Sequence, residues 1–238
     1  MKKITFIINP IAGHKRYKEV EKKIHKYIDN SKFDLKIKYS KKKGDLKTIT
    51  KQAIANGSKI IIGVGGDGTV NEISSELINS NIKMGIIPTG SGNGLALSLG
   101  IPNNIKKAIE KINSQKIKKI DCISINDLHS INLIGFGFDA LVAKEFSKEL
   151  NRGLIKYIYL TFKLLFKFKP KEFKIKLKNE VKKIKVFSLN ICNGQQFGNN
   201  FVLSPKAKLD DGNLRVCIIK NFKWYQFFYL LVLFFFNK

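Results

Sequence analysis

Four short apolar runs separated by amphipathic stretches set the rhythm of the first half of the chain. Thr5–Ile8 is a β-prone run closed by Asn9-Pro10. Tyr17–Ile28 places Val20, Ile24 and Ile28 on a helical period among lysines. Phe33–Tyr39 alternates apolar and polar, the period of a half-buried strand. Leu46–Ala55 is helical again and stops at Asn56-Gly57. Lys59–Val64 is a continuous β-branched run, suited to a strand buried on both faces. A helix over Asn71–Ile78, a strand over Met84–Ile87 and a short helix over Leu95–Leu99 follow, the last ended by Gly100-Ile101-Pro102. This alternation predicts a parallel sheet with helices on both faces.

After about Asp121 the rhythm changes. Strand-like runs now follow one another at Ile120–Ile125, Ser130–Ile134, Phe173–Leu177, Lys185–Ile191 and Leu214–Ile219. One lysine-laced helix is predicted between them, over Leu154–Phe168. Consecutive strands predict a second, mostly antiparallel β domain. The expected division is 1–121 and 122–238.

Two glycine loops interrupt the first half. Gly63-Val64-Gly65-Gly66-Asp67-Gly68-Thr69 leaves a buried strand and enters a helix. Glycine lets backbone approach a ligand closely, and a helix N-terminus offers free N–H groups to phosphate. Gly63, Gly65 and Gly68 formally satisfy the Rossmann spacing, but no Asp or Glu lies between Glu76 and Glu110 to hold a ribose. A Walker loop is excluded because the chain has no Gly-Lys pair. Asp67 is the sharp residue. A carboxylate inside a phosphate loop is repelled by phosphate unless a cation intervenes, which points to Mg²⁺; the plainer reading is a helix cap. Thr69-x-x-Glu72 has the spacing of a capping box, and Asn71 reads as polar surface or a ligand contact. Pro88-Thr89-Gly90-Ser91-Gly92-Asn93-Gly94 repeats the logic one unit later. Loops at the ends of neighbouring parallel strands would converge on one crevice.

Composition changes this picture in one respect. The 238 residues carry 44 Lys and Arg against 18 Asp and Glu, a formal charge of +26. Such a charge suits polyanions or anionic membranes. Yet only Arg16, Arg152 and Arg215 are arginine, where nucleic-acid readers favour bidentate Arg; abundant Ile, Asn and Lys also follow from an AT-rich genome. The Gly57–Ile101 stretch holds just Lys59 and Lys83 beside three acids, so the loops rather than the lysines read as the specific site, with no specific nucleic-acid partner. Hydrophobic residues at 44% and charged residues at 26% exclude a disordered or collagen-like chain. Cys122, Cys192 and Cys217 are too few and too scattered for a disulfide framework. The apolar start is too short for a signal peptide, and Trp224–Phe236 is too short to span a bilayer, suiting a buried or membrane-surface helix.

With these motifs in place the chain resembles the diacylglycerol kinase catalytic family, which includes bacterial soluble lipid kinases and sphingosine kinases. The ordered set is Asn9-Pro10-x-x-Gly13, Gly65-Gly66-Asp67-Gly68-Thr69 and Pro88-x-Gly90-Ser91-Gly92-Asn93, then Gly135-Phe136-Gly137-Phe138-Asp139-Ala140 and Ser204-Pro205-x-Ala207-x-Leu209-Asp210-Asp211-Gly212. The resemblance implies an α/β nucleotide domain, a β-sandwich-like domain and an active site between them. It implies ATP binding by Asn9, Gly13, Gly65, Gly66, Asp67, Gly68, Thr69, Gly90, Ser91 and Asn93. Asp67 would lie near the phosphates and Mg²⁺, and Asp121 matches a family aspartate at the domain junction; these two are the catalytic candidates. Asp139 falls where sphingosine kinases hold an acidic residue near the lipid head group, and Asp210 and Asp211 match a loop that holds structural Mg²⁺ in some members.

The implied activity is transfer of the ATP γ-phosphate to a hydroxyl of diacylglycerol, a sphingoid base or a similar lipid. The expected setting is cytoplasmic, peripheral at the inner face of an anionic membrane. Family members carry a late Asp-Gly-Glu motif, whereas nothing after Asp211 here is acidic, so the second domain is expected to be C-terminally incomplete. Two alternatives follow: an inactive remnant that binds nucleotide or membrane, and an NAD kinase.

Overall fold

The computed structural model describes residues 1–12, 16–42, 44–149, 153–177 and 180–220, together with Gln226 and Tyr229. The first half runs β1 (Lys2–Ile8), α1 (Tyr17–Tyr27), β2 (Phe33–Tyr39), α2 (Asp45–Ala55), β3 (Ile60–Gly65), α3 (Asp67–Ser75), β4 (Lys83–Pro88), α4 (Gly94–Ser98) and α5 (Ile105–Asn113). Its four strands form one parallel sheet in the order β2-β1-β3-β4.

Strand periodicity divides the core into two layers. Ile4, Phe6 and Ile8 of β1, with Ile60, Ile62 and Val64 of β3, pack against Val20 and Ile24 of α1 and Ile109 of α5. On the other face Ile7 and Ile61 meet Leu46 and Ala53 of α2 and Ile73 of α3. All six β3 residues are buried, as the unbroken β-branched run requires. Each fully buried Ile or Phe contributes about 1.5–3 kcal/mol of transfer free energy. α5 is not among the expected elements, although Ile105, Ala108, Ile109 and Ile112 carry a helical period and pack on the first layer. Asn104 caps it, its side chain accepting from Lys107 N–H at 3.1 Å.

The second half runs β5 (Ile123–Ile125), β6 (Leu128–Ser130), β7 (Leu133–Gly137), α6 (Phe138–Ser147), α7 (Leu154–Leu165), β8 (Lys171–Leu177), β9 (Glu180–Cys192), β10 (Gln196–Gly198), β11 (Phe201–Val202) and β12 (Arg215–Lys220). β9 pairs antiparallel with β7, β8 and β12, while β5–β6 and β10–β11 are small hairpins. An aromatic cluster holds α6 and α7 to the sheet: the Phe138 ring lies 4.4 Å from Phe187 and 5.5 Å from Phe168, centroid to centroid.

Three local expectations are corrected. The run Ser130–Ile134 is not a single strand but the end of β6, a turn and the start of β7. The Ser130 hydroxyl donates to Leu133 O at 2.9 Å, closing a turn between β6 and β7. α6 is a helix the apolar pattern concealed, begun where Gly137 takes φ +88° and turns β7 directly into it. The Thr69–Glu72 capping box does not form. α3 begins at Asp67 with Gly66 at its N-cap, which leaves Thr69 inside the helix. The three cysteines are free thiols. Of the C-terminal apolar segment only Gln226 and Tyr229 are described, both helical. Among the described residues no helix is long and apolar enough to cross a membrane.

Candidate functional site

The carboxyl ends of β1, β3 and β4 face one crevice. β1 ends at Asn9, whose N–H donates to Val64 O (3.0 Å) and whose Nδ2 donates to Thr69 Oγ1 (3.0 Å). As an acceptor the Thr69 hydroxyl ties the first loop to the end of β1 and keeps its own proton to donate. β3 ends at Gly65, whose carbonyl accepts from Thr89 N–H at 3.0 Å. Gly66 and Gly68 flank Asp67 at the start of α3.

The two glycine loops lie backbone against backbone. A Cβ added at Gly90 would stand 2.4 Å from Gly66 Cα, a separation no side chain tolerates. Asn93 organises the second loop. It takes φ +56°, accepts from Gly90 N–H at 3.0 Å, and donates through Nδ2 to Gly90 O (2.9 Å) and Asn103 Oδ1 (3.2 Å). The cavity beside these loops is about 290 Å³, open to solvent, and lined in part by Asn9, Gly90, Ser91 and Asn93. Arg16, Tyr17 and Asn103 line it too. None of the three stands out in a glycine-motif search, although Arg16 is one of three arginines among 44 basic residues. Gly13 lies outside the described residues.

Asp67 does not line that cavity. Its Oδ1 accepts from Leu95 N–H at 3.2 Å, so the carboxylate caps α4 rather than its own helix. Burial pushes its carboxyl above the usual aspartate range, and the N–H groups of Leu95, Gly94 and Asn93 pull it part of the way back. No Lys or Arg among the described residues pairs with it. Asp67 is a buried carboxylate with no cationic partner among the described residues, and it could supply one oxygen ligand to a divalent cation.

Asp121 joins a different group. Its Oδ2 accepts from Gly212 N–H at 2.7 Å, and its backbone N–H donates to Leu209 O. Sequence positions 121 and 209–212 thus meet in space. Asp210 pairs with Lys118 at 3.0 Å and Asp211 with Arg215 at 2.9 Å. Their charges are already compensated, and among the described residues no group of three or more His, Cys, Asp and Glu side chains could hold a metal.

Asp139 opens α6 in the second domain. Its Oδ2 accepts from Ser188 Oγ and from Asn190 Nδ2, the latter at 2.7 Å. Burial raises its carboxyl, and these two donors lower it again. Tyr157 of α7 lies nearby: its phenol is pushed up to about 12, by burial first and then by the Asp139 charge.

The second domain closes onto the crevice through α4. Asn199 N–H donates to Gly92 O at 3.0 Å, and a Cβ at Gly94 would stand 2.6 Å from Phe197 O. Asn71, on α3, is neither free surface nor aimed at the cavity. It donates to His129 O (3.1 Å) and accepts from Ile131 N–H (3.4 Å), binding the two domains.

Comparison with known proteins agrees with this arrangement. Residues 3–125 match the diacylglycerol kinase catalytic domain family, and residues 132–235 match the YegS C-terminal NAD kinase beta sandwich-like domain. A Chromohalobacter salexigens protein named "Probable lipid kinase YegS-like" is 30% identical over 75% of this chain and 60% of its own length. A Staphylococcus haemolyticus protein named diacylglycerol kinase is 28% identical over 93% of this chain and 68% of its own. A crystal structure of a diacylglycerol kinase from Bacillus anthracis superposes with a TM-score of 0.70 at 26% identity, covering 97% of this chain and 77% of that one. The chain spans about 60% of the length of curated relatives such as the Chromohalobacter protein.

Proposed function

The chain belongs to the diacylglycerol kinase catalytic domain family, and from that premise we propose that it is an ATP-dependent lipid kinase. The reaction would move the γ-phosphate of ATP to a hydroxyl of diacylglycerol, a sphingoid base or a similar lipid. The observation that carries this reading is the packing of Gly66 against Gly90 beside the Asn9–Asn93 cavity. Bare backbone at that point lets the two loops close on each other and brings the ends of β3 and β4 to one cavity, whose volume of about 290 Å³ is near that of a small-molecule cleft.

Asn9, Gly65, Gly66, Gly68, Thr69, Gly90, Ser91 and Asn93 are the residues that would hold the nucleotide. Asn93 keeps the second loop in one shape through its three hydrogen bonds, so the loop is ordered before ligand arrives. Mg²⁺, when bound, would neutralise phosphate charge, and Asp67, the buried carboxylate between the two loops, is the residue proposed to meet it. The chemistry asks the protein for position and charge stabilisation more than for covalent participation.

Asp139 is assigned to the acceptor side. Held by Ser188 and Asn190 beneath α7, it offers a fixed acceptor to a lipid head-group hydroxyl or amine. The cluster of Asp121 and the Asp210–Gly212 loop is assigned to holding the domain junction.

The test is transfer of labelled γ-phosphate from Mg-ATP into a total lipid extract by wild type and Asp67→Asn. The reading expects one labelled lipid class from wild type and almost none from the variant. A labelled product made equally well by Asp67→Asn removes Asp67 from the chemistry, and no labelled lipid from folded, ATP-binding wild type overturns the lipid kinase reading. NADP formation from NAD and ATP would replace it with the NAD kinase alternative.

A further inference from the structure

The three cysteines stand far apart in the sequence, yet the fold brings two of them together. Cys192 closes β9, and Cys217 lies in β12, the strand that runs antiparallel to it. Register sets Cys192 opposite Arg215 and Cys217 opposite Asn190. Residues two apart on a strand share a face, so the two cysteines are diagonal neighbours on one side of the sheet. That side is the inner one. Arg215, Cys217 and Ile219 are partly buried, while Val216 and Ile218 between them are exposed. The two thiols are in direct contact through a hydrogen bond.

They are not equivalent. Cys192 is fully buried, whereas Cys217 is half-buried beside Leu203 and Ser204, its Sγ 3.7 Å from Leu203 O. Donation from the Cys192 thiol, helped by the Ser204 side chain, stabilises a thiolate at Cys217 and pulls that group down to about 6. The same hydrogen bond, burial and the nearby Asp139 charge push the Cys192 thiol up. An accessible thiolate in contact with a protonated thiol is the arrangement of a redox-responsive cysteine pair. Cys122 stands outside it. Its thiol faces the carbonyls of Ile123 and Ser130 at 3.5 and 3.6 Å, and burial pushes it up.

We propose that Cys192 and Cys217 form a reversible dithiol–disulfide switch, with Cys217 attacking a hydroperoxide and Cys192 resolving the product. The Cys217 thiolate attacks one peroxide oxygen. An S–O bond forms, the O–O bond breaks, and the leaving hydroxide takes up the proton that Cys217 released on ionising. The Cys192 sulfur then attacks the Cys217 sulfenic acid. The S–S bond forms, the S–O bond breaks, and hydroxide departs with the Cys192 proton as a second water. The thiols lose two electrons and the peroxide gains them; an external dithiol returns them.

The pair sits at the base of the segment that joins the two domains. Within residues 193–216, Asn193 donates to Asp121 O at 2.8 Å, Asn199 N–H to Gly92 O at 3.0 Å and Gly212 N–H to Asp121 Oδ2 at 2.7 Å. A disulfide closes this segment into a loop. Diagonal neighbours on paired strands stand about 7–8 Å apart, wider than the roughly 4.4–6.8 Å between bridged Cα atoms, so oxidation draws β12 toward β9. Among the described residues β12 pairs with β9 alone, and its register already shifts between Ile219 and Lys220, so it is the strand with room to move. Oxidation therefore tightens the seam between the domains. The inference stands apart from the kinase reading, since it needs no turnover.

The test is treatment of the full chain with hydrogen peroxide, then alkylation in guanidinium chloride and peptide mass mapping. Wild type is expected to lose two hydrogens, to yield linked peptides holding Cys192 and Cys217, and to alkylate at Cys122. Dithiothreitol should restore all three thiols. The linked form should unfold roughly 5–10 °C higher and show slowed amide exchange over residues 196–213. Cys192→Ala removes the resolving thiol and should leave a sulfenic acid at Cys217 that dimedone traps. Cys217→Ser keeps the buried thiol, should match the circular dichroism of wild type, and should give neither product. The proposal is overturned if Cys192 and Cys217 both remain alkylatable after peroxide, if the link contains Cys122 or joins two chains, or if dimedone labels Cys192 in Cys217→Ser. A linked form that unfolds and exchanges like the reduced one overturns the tightening of the seam.

Discussion

The two sheets of this protein are covered differently. The parallel sheet is covered on both faces by helices, and the residues of β3 are buried throughout. The antiparallel sheet is covered on one stretch only. The first six residues of β9 are mostly exposed, whereas the next five, Val186 to Asn190, are all buried. On β12 Val216 and Ile218 remain open to solvent. The difference teaches a division of labour. Phosphate chemistry needs loops fixed to within a fraction of an ångström, which a doubly covered sheet supplies. Under the proposed function, a water-insoluble acceptor would need an apolar surface, and the half-covered sheet leaves Val216 and Ile218 open.

The strongest challenge to this comparison is in the glycine crevice. Asp67→Asn keeps the oxygen that accepts from Leu95 N–H but removes the buried charge, and turnover should fall by roughly 10²–10³-fold while circular dichroism is unchanged. The next effect is on stability. Ile61→Ala in the doubly covered sheet should cost about 2–5 kcal/mol in denaturant unfolding. Val216→Ala on the open face of β12 should stay within about 0.5 kcal/mol. Equal losses at the two positions would erase the contrast between the sheets. Between these lies the seam: Asn71→Ala removes two interdomain hydrogen bonds and should cost about 1–3 kcal/mol, with faster amide exchange in β5 and β6.

The smallest effect is a slope with pH. Burial raises the folded-state carboxyl of Asp139 above its unfolded value. The folded state therefore holds that proton more tightly, and this group favours folding below the unfolded value and loses that contribution as pH rises through the folded one. Asp139→Asn lacks the slope, so its stability relative to wild type should improve as pH rises above the unfolded aspartate value. A relative stability that worsens as pH rises would mean the carboxylate is held in its charged form.

Much of this was legible in the sequence, and unevenly so. The parallel sheet could be read because a strand covered on both faces carries no polar side chain along its length, as at Ile60–Val64. The glycine loops could be read because Gly and Asn in that density serve close approach and positive φ, and Asn93 does take φ +56°. Helix α6 could not, since the residues after Gly137 fit either period and only the reversal at that glycine decides. The partners of Asp67 were also hidden: a cap on the following helix depends on how two loops stack, which spacing does not encode. The meeting of Asp121 with Gly212, and of Asp139 with Ser188 and Asn190, joins residues 49 to 91 positions apart, beyond any local pattern.

The central claim is that the crevice between the two glycine loops, and not the lysine-rich half of the molecule, receives the nucleotide. Amide hydrogen exchange of the full chain with and without Mg-ATP tests it directly. The account predicts slowed exchange at Asn9, at Gly65–Thr69 and at Gly90–Asn93, with β8 and the outer half of β9 unchanged. Slowed exchange confined to the β8–β9 lysines, with the glycine loops unaffected, would contradict it.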